Sequence, residues 1–368
     1  MSDRLEARLL LAILREDWDQ ADHHARASPP SPEPFLSLCR TCDVHPWVHA
    51  LLDREGRFDI VGVKIRDGLL RLRRKCRVDN LLLLARLEQA LDLLSSAGIV
   101  PVVLKGVDVI HRFGLEFDAR TLDDVDLLVL PADFGGAVAA LEAAGFEGPR
   151  EEERIHWLRS SHEMPLRSPG PVPVSFEIHW GLGQKRRYRV PTPQLLGRAI
   201  PLVVAGRSAL RLEDHDAAAH LLLHHVQHYF DRRLKWALDL GRIARTTGFD
   251  WREVAARLRS WGGSAAAGMA IRHLRRLFPG IVPAEALRLL PVGSGRRLLT
   301  APLRSAYPLD YFVGTRRRGV QLAIAAALYE HPFRLPAYLL HRILRDRRAG
   351  DDSPESGFPG SRDGPGSG

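Results

Sequence analysis

Residues 102–129 read VVLKGVDVIHRFGLEFDARTLDDVDLLV, and the fold turns on this stretch because it sets a Lys-Gly turn upstream of an apolar run carrying two carboxylates. If residues 124–130 form a strand, period-2 alternation puts Asp124 and Asp126 on one face and Val125, Leu127 and Val129 on the other. Two carboxylates on one face repel each other unless a cation lies between them. Mg²⁺ suits that position, since it takes hard oxygen ligands and leaves its remaining positions to water and substrate phosphates. A lone Asp-x-Asp also arises when one Asp caps a turn and the next faces solvent, so the motif needs its context.

Upstream, IVPVVL (99–104) reads as a short, fully apolar strand, and Gly98 stands where the C-terminal cap of the preceding helix belongs. Val107 to Phe113 reads as a short helix. A strand, a glycine turn and a helix in succession expose backbone N–H groups at a helix N-terminus, where a phosphate is favoured. Gly106 lets the backbone approach an anion closely, and Lys105 adds a point charge. The chain contains neither G-x-x-x-x-G-K-[ST] nor a G-x-G-x-x-G that opens a helix after a strand.

Downstream, Pro131 and Asp133 start a helix that runs to about Ala144 and stops at Gly145. Strand, helix, strand, helix over 99–144 argues for an α/β unit with helices packed on a sheet. Residues 163–168 and 172–180 flank SPGP as the arms of a hairpin, the second arm reading VPVSFEIHW. Glu177 and His179 share a face of that arm. Glu177 reads there as an exposed edge residue, or as a third carboxylate brought to the sheet.

At 368 residues the chain is long enough for two or three folding units, and its 45% hydrophobic and 26% charged content is that of a soluble globular protein. The longest uncharged apolar run, near Val320 to Tyr329, is too short to span a bilayer, and the N-terminus shows no signal-peptide pattern, so a cytoplasmic protein is expected. A net charge of +9 suits an anionic partner, nucleotide or nucleic acid, but it is spread over many short Arg clusters without interleaved aromatics. Nucleic-acid binding has no further support. Five lysines stand against 48 arginines, which singles out Lys105 and Lys235 as positions where Arg was not used. Cys39, Cys42 and Cys76 are too few for a disulfide framework. Cys39-x-x-Cys42 with His45 and Cys76 is a zinc candidate, but small buried thiols explain it at least as well.

Before the central stretch, leucines at helical spacing mark a helix over 3–16, the proline-rich ASPPSPEPF marks a loop over 27–35, and helical pattern resumes over 35–53 and 66–97. Leu81, Leu84, Leu87, Leu91 and Leu94 mark the buried face of the last of these. After a composition shift near Leu212 the chain turns helical. EDHDAAAHLLLHHVQHYF sets His220, His224 and His228 in one stripe, either metal ligands or partly buried, substrate-facing side chains. Residues 232–245 form a second helix, in which Lys235 and Asp239 are spaced to pair on the surface. Further helices are expected over 250–260, 263–277, 283–290, 317–329 and 335–346, followed by a Gly/Pro/Ser-rich tail, 351–368, expected to be disordered.

LeuLysGly at 104–106, Arg120, AspValAspLeuLeuVal at 124–129, GluIleHisTrp at 177–180, LeuLeuLeuHis at 221–224, His228, LeuLysTrp at 234–236 and Asp239 occur in that order. Over roughly residues 80–245 the chain thereby resembles the uncharacterised bacterial nucleotidyltransferases of the polymerase-β-like superfamily. It departs from the family pattern at Gln227, at Asp123, and in using a Lys-Gly turn where better-understood relatives have Gly-Ser. The resemblance implies an α+β fold: a small mixed-sheet nucleotidyltransferase core (96–212) flanked by N-terminal helices (1–95) and a C-terminal helical domain (213–350). It implies transfer of a nucleoside monophosphate from an NTP, ATP being the expected one, to an unidentified acceptor hydroxyl with release of pyrophosphate. Two Mg²⁺ ions would be held by Asp124, Asp126 and Glu177. Lys105, the amides after Gly106, and Arg120 would neutralise the triphosphate, and His179, His224, His228 and Lys235 would face the cleft as nucleotide contacts or else form a buried polar interface. A degenerate member that binds nucleotide or a partner without chemistry is the alternative.

Overall fold

The structure, a computed structural model, describes residues 2–329 apart from 185–186 and 315–316. The helix expected over 335–346 and the expected tail lie outside the described residues. The fold is α+β. Six strands, β1 (Val102–Val103), β2 (Val125–Leu128), β3 (Glu163–Arg167), β4 (Ser175–His179), β5 (Ile200–Val204) and β6 (Arg207–Arg211), form one mixed sheet in the order β3-β4-β2-β1-β6-β5. The pairs β2/β4 and β1/β6 are parallel and the other three antiparallel. β4 therefore lies inside the sheet between β3 and β2, which corrects the edge reading of Glu177.

The two faces of this sheet carry different residues because alternate side chains point to opposite sides. Val103, Val125, Leu127, Phe176 and Ile178 pack with Leu84, Leu87 and Leu91 of the helix Val63–Ser96 and with Val138 and Leu141 of the helix Phe134–Ala143. Val102 and Leu128, on the other face, join a cluster that runs from Leu9, Phe35 and Leu51 to Leu222, Trp261 and Phe312. The helices on either side of the sheet in sequence thus share one apolar core. Asp126 belongs to this second face, and so do its polar neighbours.

Helix Val63–Ser96 spans about 50 Å and ends, as its sequence predicts, at Gly98 with φ +73°. Its apolar stripe differs in one position: Leu81 is exposed, and Asn80 and Leu83 are buried in its place. The proline-rich loop is shorter than expected. Pro32 and Pro34 sit in the first turn of the helix Pro32–Thr41, where the missing N–H costs nothing. The helix expected over 35–53 is two helices, Pro32–Thr41 and His45–Arg54, parted at Asp43 with φ +55°. The β5/β6 hairpin has no counterpart in the sequence expectations. Its two-residue turn, Ala205-Gly206, takes positive φ at both positions, a conformation usually signalled by Asn-Gly or Asp-Gly. In the C-terminal half, Asp214–Gln227, Lys235–Ile243, Trp251–Trp261, Ser264–Leu277, Ala284–Leu289 and Arg318–Leu328 are helices. Among the described residues no helix is long and apolar enough to cross a membrane.

Candidate functional site

The site is built where β1 ends. Leu104 N–H donates to Asp126 O at 3.0 Å, fastening the turn to β2, and the helix Lys105–Arg112 starts at once. Lys105 itself has φ +50°, a left-handed conformation rare outside glycine and characteristic of sites where surrounding structure imposes strain. Gly106 is required for packing. A Cβ there would lie 2.3 Å from Arg120 Nη1 and 2.6 Å from Leu122 Cδ2.

From this turn the Lys105 ammonium reaches Asp126 Oδ1 at 2.7 Å and stands 3.9 Å from Glu177 Oε2. Asp126 and Glu177 are register partners on the parallel pair β2/β4, so their carboxylates point the same way from adjacent strands. His179, two residues along β4, places Nε2 3.0 Å from Asp126 Oδ1 and 3.5 Å from Glu177 Oε2. Ligand atoms of Asp126, Glu177 and His179 all lie within 4.8 Å of one another, and those of His162, Glu163 and His179 form a second such group. The donor set fits a divalent cation: two carboxylates and an imidazole converge, and an ammonium already occupies the gap between the two acids.

Asp124 stands one residue before β2, half-buried, in neither of the two groups. Burial and the nearby Asp126 carboxylate, opposed by Lys105 and reinforced by Glu177 and Asp123, push its carboxyl up to about 7. Burial alone would lower the Lys105 ammonium, but Asp126, Glu177, Asp124 and Glu163 outweigh it and hold it above its ordinary value. The same contest at His179, burial against hydrogen bonds to Asp126 and Glu177 and the charge of Glu163, ends with the imidazole raised to about 10. Without metal, the acids are neutralised by a buried lysine and a buried imidazolium.

The other residues singled out from the sequence are placed as follows. Arg120 is buried, its Nε and Nη2 on both oxygens of Asp239 (2.7–3.1 Å) and its Nη1 on the Thr121 carbonyl at 2.7 Å. Lys235 is buried too, 2.7 Å from Asp123 and 3.1 Å from Asp43. Lys235 and Asp239 therefore do not pair on the surface as expected; each is turned inward to a distant partner. Asp123, one of the departures from the family pattern, faces Lys235 and Arg233. His224 lies against His228 (ring centroids 4.4 Å) and Trp236 (4.5 Å). Burial and the charge of Lys105 hold His220 and His224 well below their ordinary value, and burial with Lys105 lowers His228 to about 4. Among the described residues, Cys39, Cys42 and Cys76 are buried free thiols outside both metal-capable groups, and burial pushes Cys76 up to about 12.

Three residues of this region had no sequence expectation. Asn80 donates to the carbonyls of Phe117 (2.6 Å) and Arg120 (2.7 Å) and accepts from Leu122 N–H at 3.1 Å, pinning the segment that leads into Asp124. A polar residue inside an apolar helical stripe was its signal. His162 and Glu163 reach the site because Glu163 is the register partner of His179, which the arms of the hairpin define only once its register is fixed.

Acids on adjacent parallel strands of a small mixed sheet, facing a lysine turn and enclosed by helices, define a class, the polymerase-β-like nucleotidyltransferases. Residues 28–279 match the family described as uncharacterised nucleotidyltransferase, and the chain belongs to that family. No curated protein and no solved structure matches the chain.

Proposed function

We propose that the protein transfers a nucleoside monophosphate from a nucleoside triphosphate, ATP in the first instance, to a hydroxyl of a small molecule, peptide or protein. The observation that carries this reading is the register pairing of Asp126 with Glu177 beside Lys105. The acceptor oxygen bonds to the α-phosphorus, the bond from that phosphorus to the oxygen bridging to the β-phosphate breaks, and pyrophosphate leaves with the electron pair. The acceptor's proton passes to a carboxylate of the site.

Asp126 and Glu177, with Asp124, would hold two Mg²⁺ ions, whose chemistry when bound is to lower the acceptor's pKa and to stabilise charge on the leaving pyrophosphate. Lys105 gives up its contact with Asp126 for the triphosphate, and the amides after Gly106 complete the anion cradle. His179 Nε2 holds Asp126 and Glu177 in place. His224 and His228, neutral and packed with Trp236, offer flat surfaces to base or sugar. Arg120 and Lys235 serve in this reading by fixing the segment 120–124 through Asp239, Asp123 and Asp43.

The test is incubation with each α-labelled NTP, Mg²⁺ and cell extract, comparing the protein with Asp126→Ala. Label transfer with stoichiometric pyrophosphate, lost in the variant, is expected. No transfer and no pyrophosphate in either sample would leave a nucleotide- or partner-binding protein on the same fold.

A further inference from the structure

Nucleotidyl transfer as proposed leaves His162, Glu163 and the Nδ1 of His179 unused. His162 Nε2 is 3.1 Å and His179 Nδ1 3.3 Å from the same oxygen, Glu163 Oε2. Both imidazoles are buried and the carboxylate is half-buried. All three ride on the β3/β4 pair: Glu163 is the register partner of His179, and Trp180 N–H donates to the His162 carbonyl at 3.0 Å.

His179 Nδ1 supplies a second, independent observation. Despite its 3.3 Å separation from Glu163 it makes no hydrogen bond, an unpaired polar atom on a side chain 1% exposed. The other ring nitrogen lies 3.0 Å from Asp126 Oδ1. A histidine that binds metal through one nitrogen almost always donates its other N–H to a carboxylate, carbonyl or water, which fixes the tautomer. Here the outer partner is in place, and a dication on Nδ1 takes the place of the proton there.

We propose that His162, Glu163 and His179, the last through Nδ1, form a binding site for a Zn²⁺-class dication, separate from the Mg²⁺ position at the paired carboxylates. Two imidazoles and one carboxylate make a ligand set that suits Zn²⁺ better than Mg²⁺, and three protein ligands leave one position for water. Because His179 belongs to both groups, an ion on Nδ1 holds Nε2–H on Asp126 and orients that carboxylate without touching the nucleotide. Binding rests on this geometry alone; its influence on Asp126 rests on the function proposed above.

The test uses the full-length protein, freed of metal with a chelator and titrated with Co²⁺ in the absence of nucleotide. Visible Co²⁺ absorption reports binding, Zn²⁺ is the competitor, and melting curves check the fold of each variant. One Co²⁺ per chain, displaced by Zn²⁺, is expected. His162→Gln and Glu163→Gln, two independent removals, weaken it by more than about 100-fold, beyond the usual effect of losing an outer partner, while Glu177→Gln leaves it in place. Absence of a Co²⁺ spectrum, or a spectrum lost in Glu177→Gln and kept in His162→Gln, would overturn the proposal. Since no nucleotide is present, this site and the transfer reaction can fail separately.

Discussion

Lys105–Asp126 and Arg120–Asp239 are both buried cation–carboxylate pairs whose cations come from the same short stretch of chain, and they differ in how completely they close. Arg120 meets both oxygens of Asp239 and spends a further N–H on the Thr121 carbonyl. Nothing in that pair is left to offer a ligand. Lys105 instead serves one acid at contact distance while Glu177, Asp124 and Glu163 crowd the same field. Its backbone is held in the left-handed region to get it there. A closed pair is scaffold, whereas a pair embedded in surplus acid is ready to exchange its cation.

The largest consequence is at Asp126. Asp126→Asn is expected to lower the rate of pyrophosphate release by about 10⁴-fold, equivalent to about 5 kcal/mol, while leaving the melting temperature close to that of the parent. Removing half of the closed pair should do the reverse. Arg120→Met leaves Asp239 buried without its hydrogen-bonded partner, only Arg242 remaining at 3.9 Å, and is expected to cost about 4 kcal/mol of stability in urea denaturation. Arg120→Met combined with Asp239→Leu should recover most of it; a double variant as unstable as the single would show that Arg120 matters for something other than its pair.

A smaller effect is expected from Asn80→Leu, which strips the segment 117–122 of three hydrogen bonds. The cost is about 2 kcal/mol, read from the same denaturation curves. Asp124 provides the pH-dependent case. Its carboxyl is raised to about 7 in the metal-free fold from about 3.9 unfolded, so the folded state prefers the protonated form. That contribution to stability is complete below about pH 4 and is lost as pH rises to about 7. Asp124→Asn should therefore be more stable than the parent above pH 7 by on the order of 2 kcal/mol, with the difference shrinking as pH falls. An unchanged difference between pH 5 and pH 8 would show that Asp124 is not held in the acids' field.

Much of the central fold was legible because period-2 and period-3.6 apolar patterns are local. The strand of Asp126, the helix after Lys105, the long helix ending at Gly98 and the C-terminal helices all carry such patterns. The β5/β6 hairpin was not legible because Ala205 adopts positive φ without the residue type that normally announces it. The prolines at 32 and 34 misled for a related reason: a helix start tolerates what a helix interior forbids. Within the site, the positions of the Asp126 and Glu177 motifs were readable, but the sharing of His179 with Glu163 depends on strand register. The destinations of Arg120 and Lys235 depend on tertiary partners far away in sequence, Asp239 for one and Asp43 and Asp123 for the other.

Calorimetric titration with an ATP analogue that resists cleavage between the α- and β-phosphates tests the exchangeable pair most directly. Binding that requires Mg²⁺ in the parent protein, and is lost in a folded Asp126→Asn variant, is the predicted result. Equal binding with and without Mg²⁺, unchanged by Asp126→Asn, would contradict it.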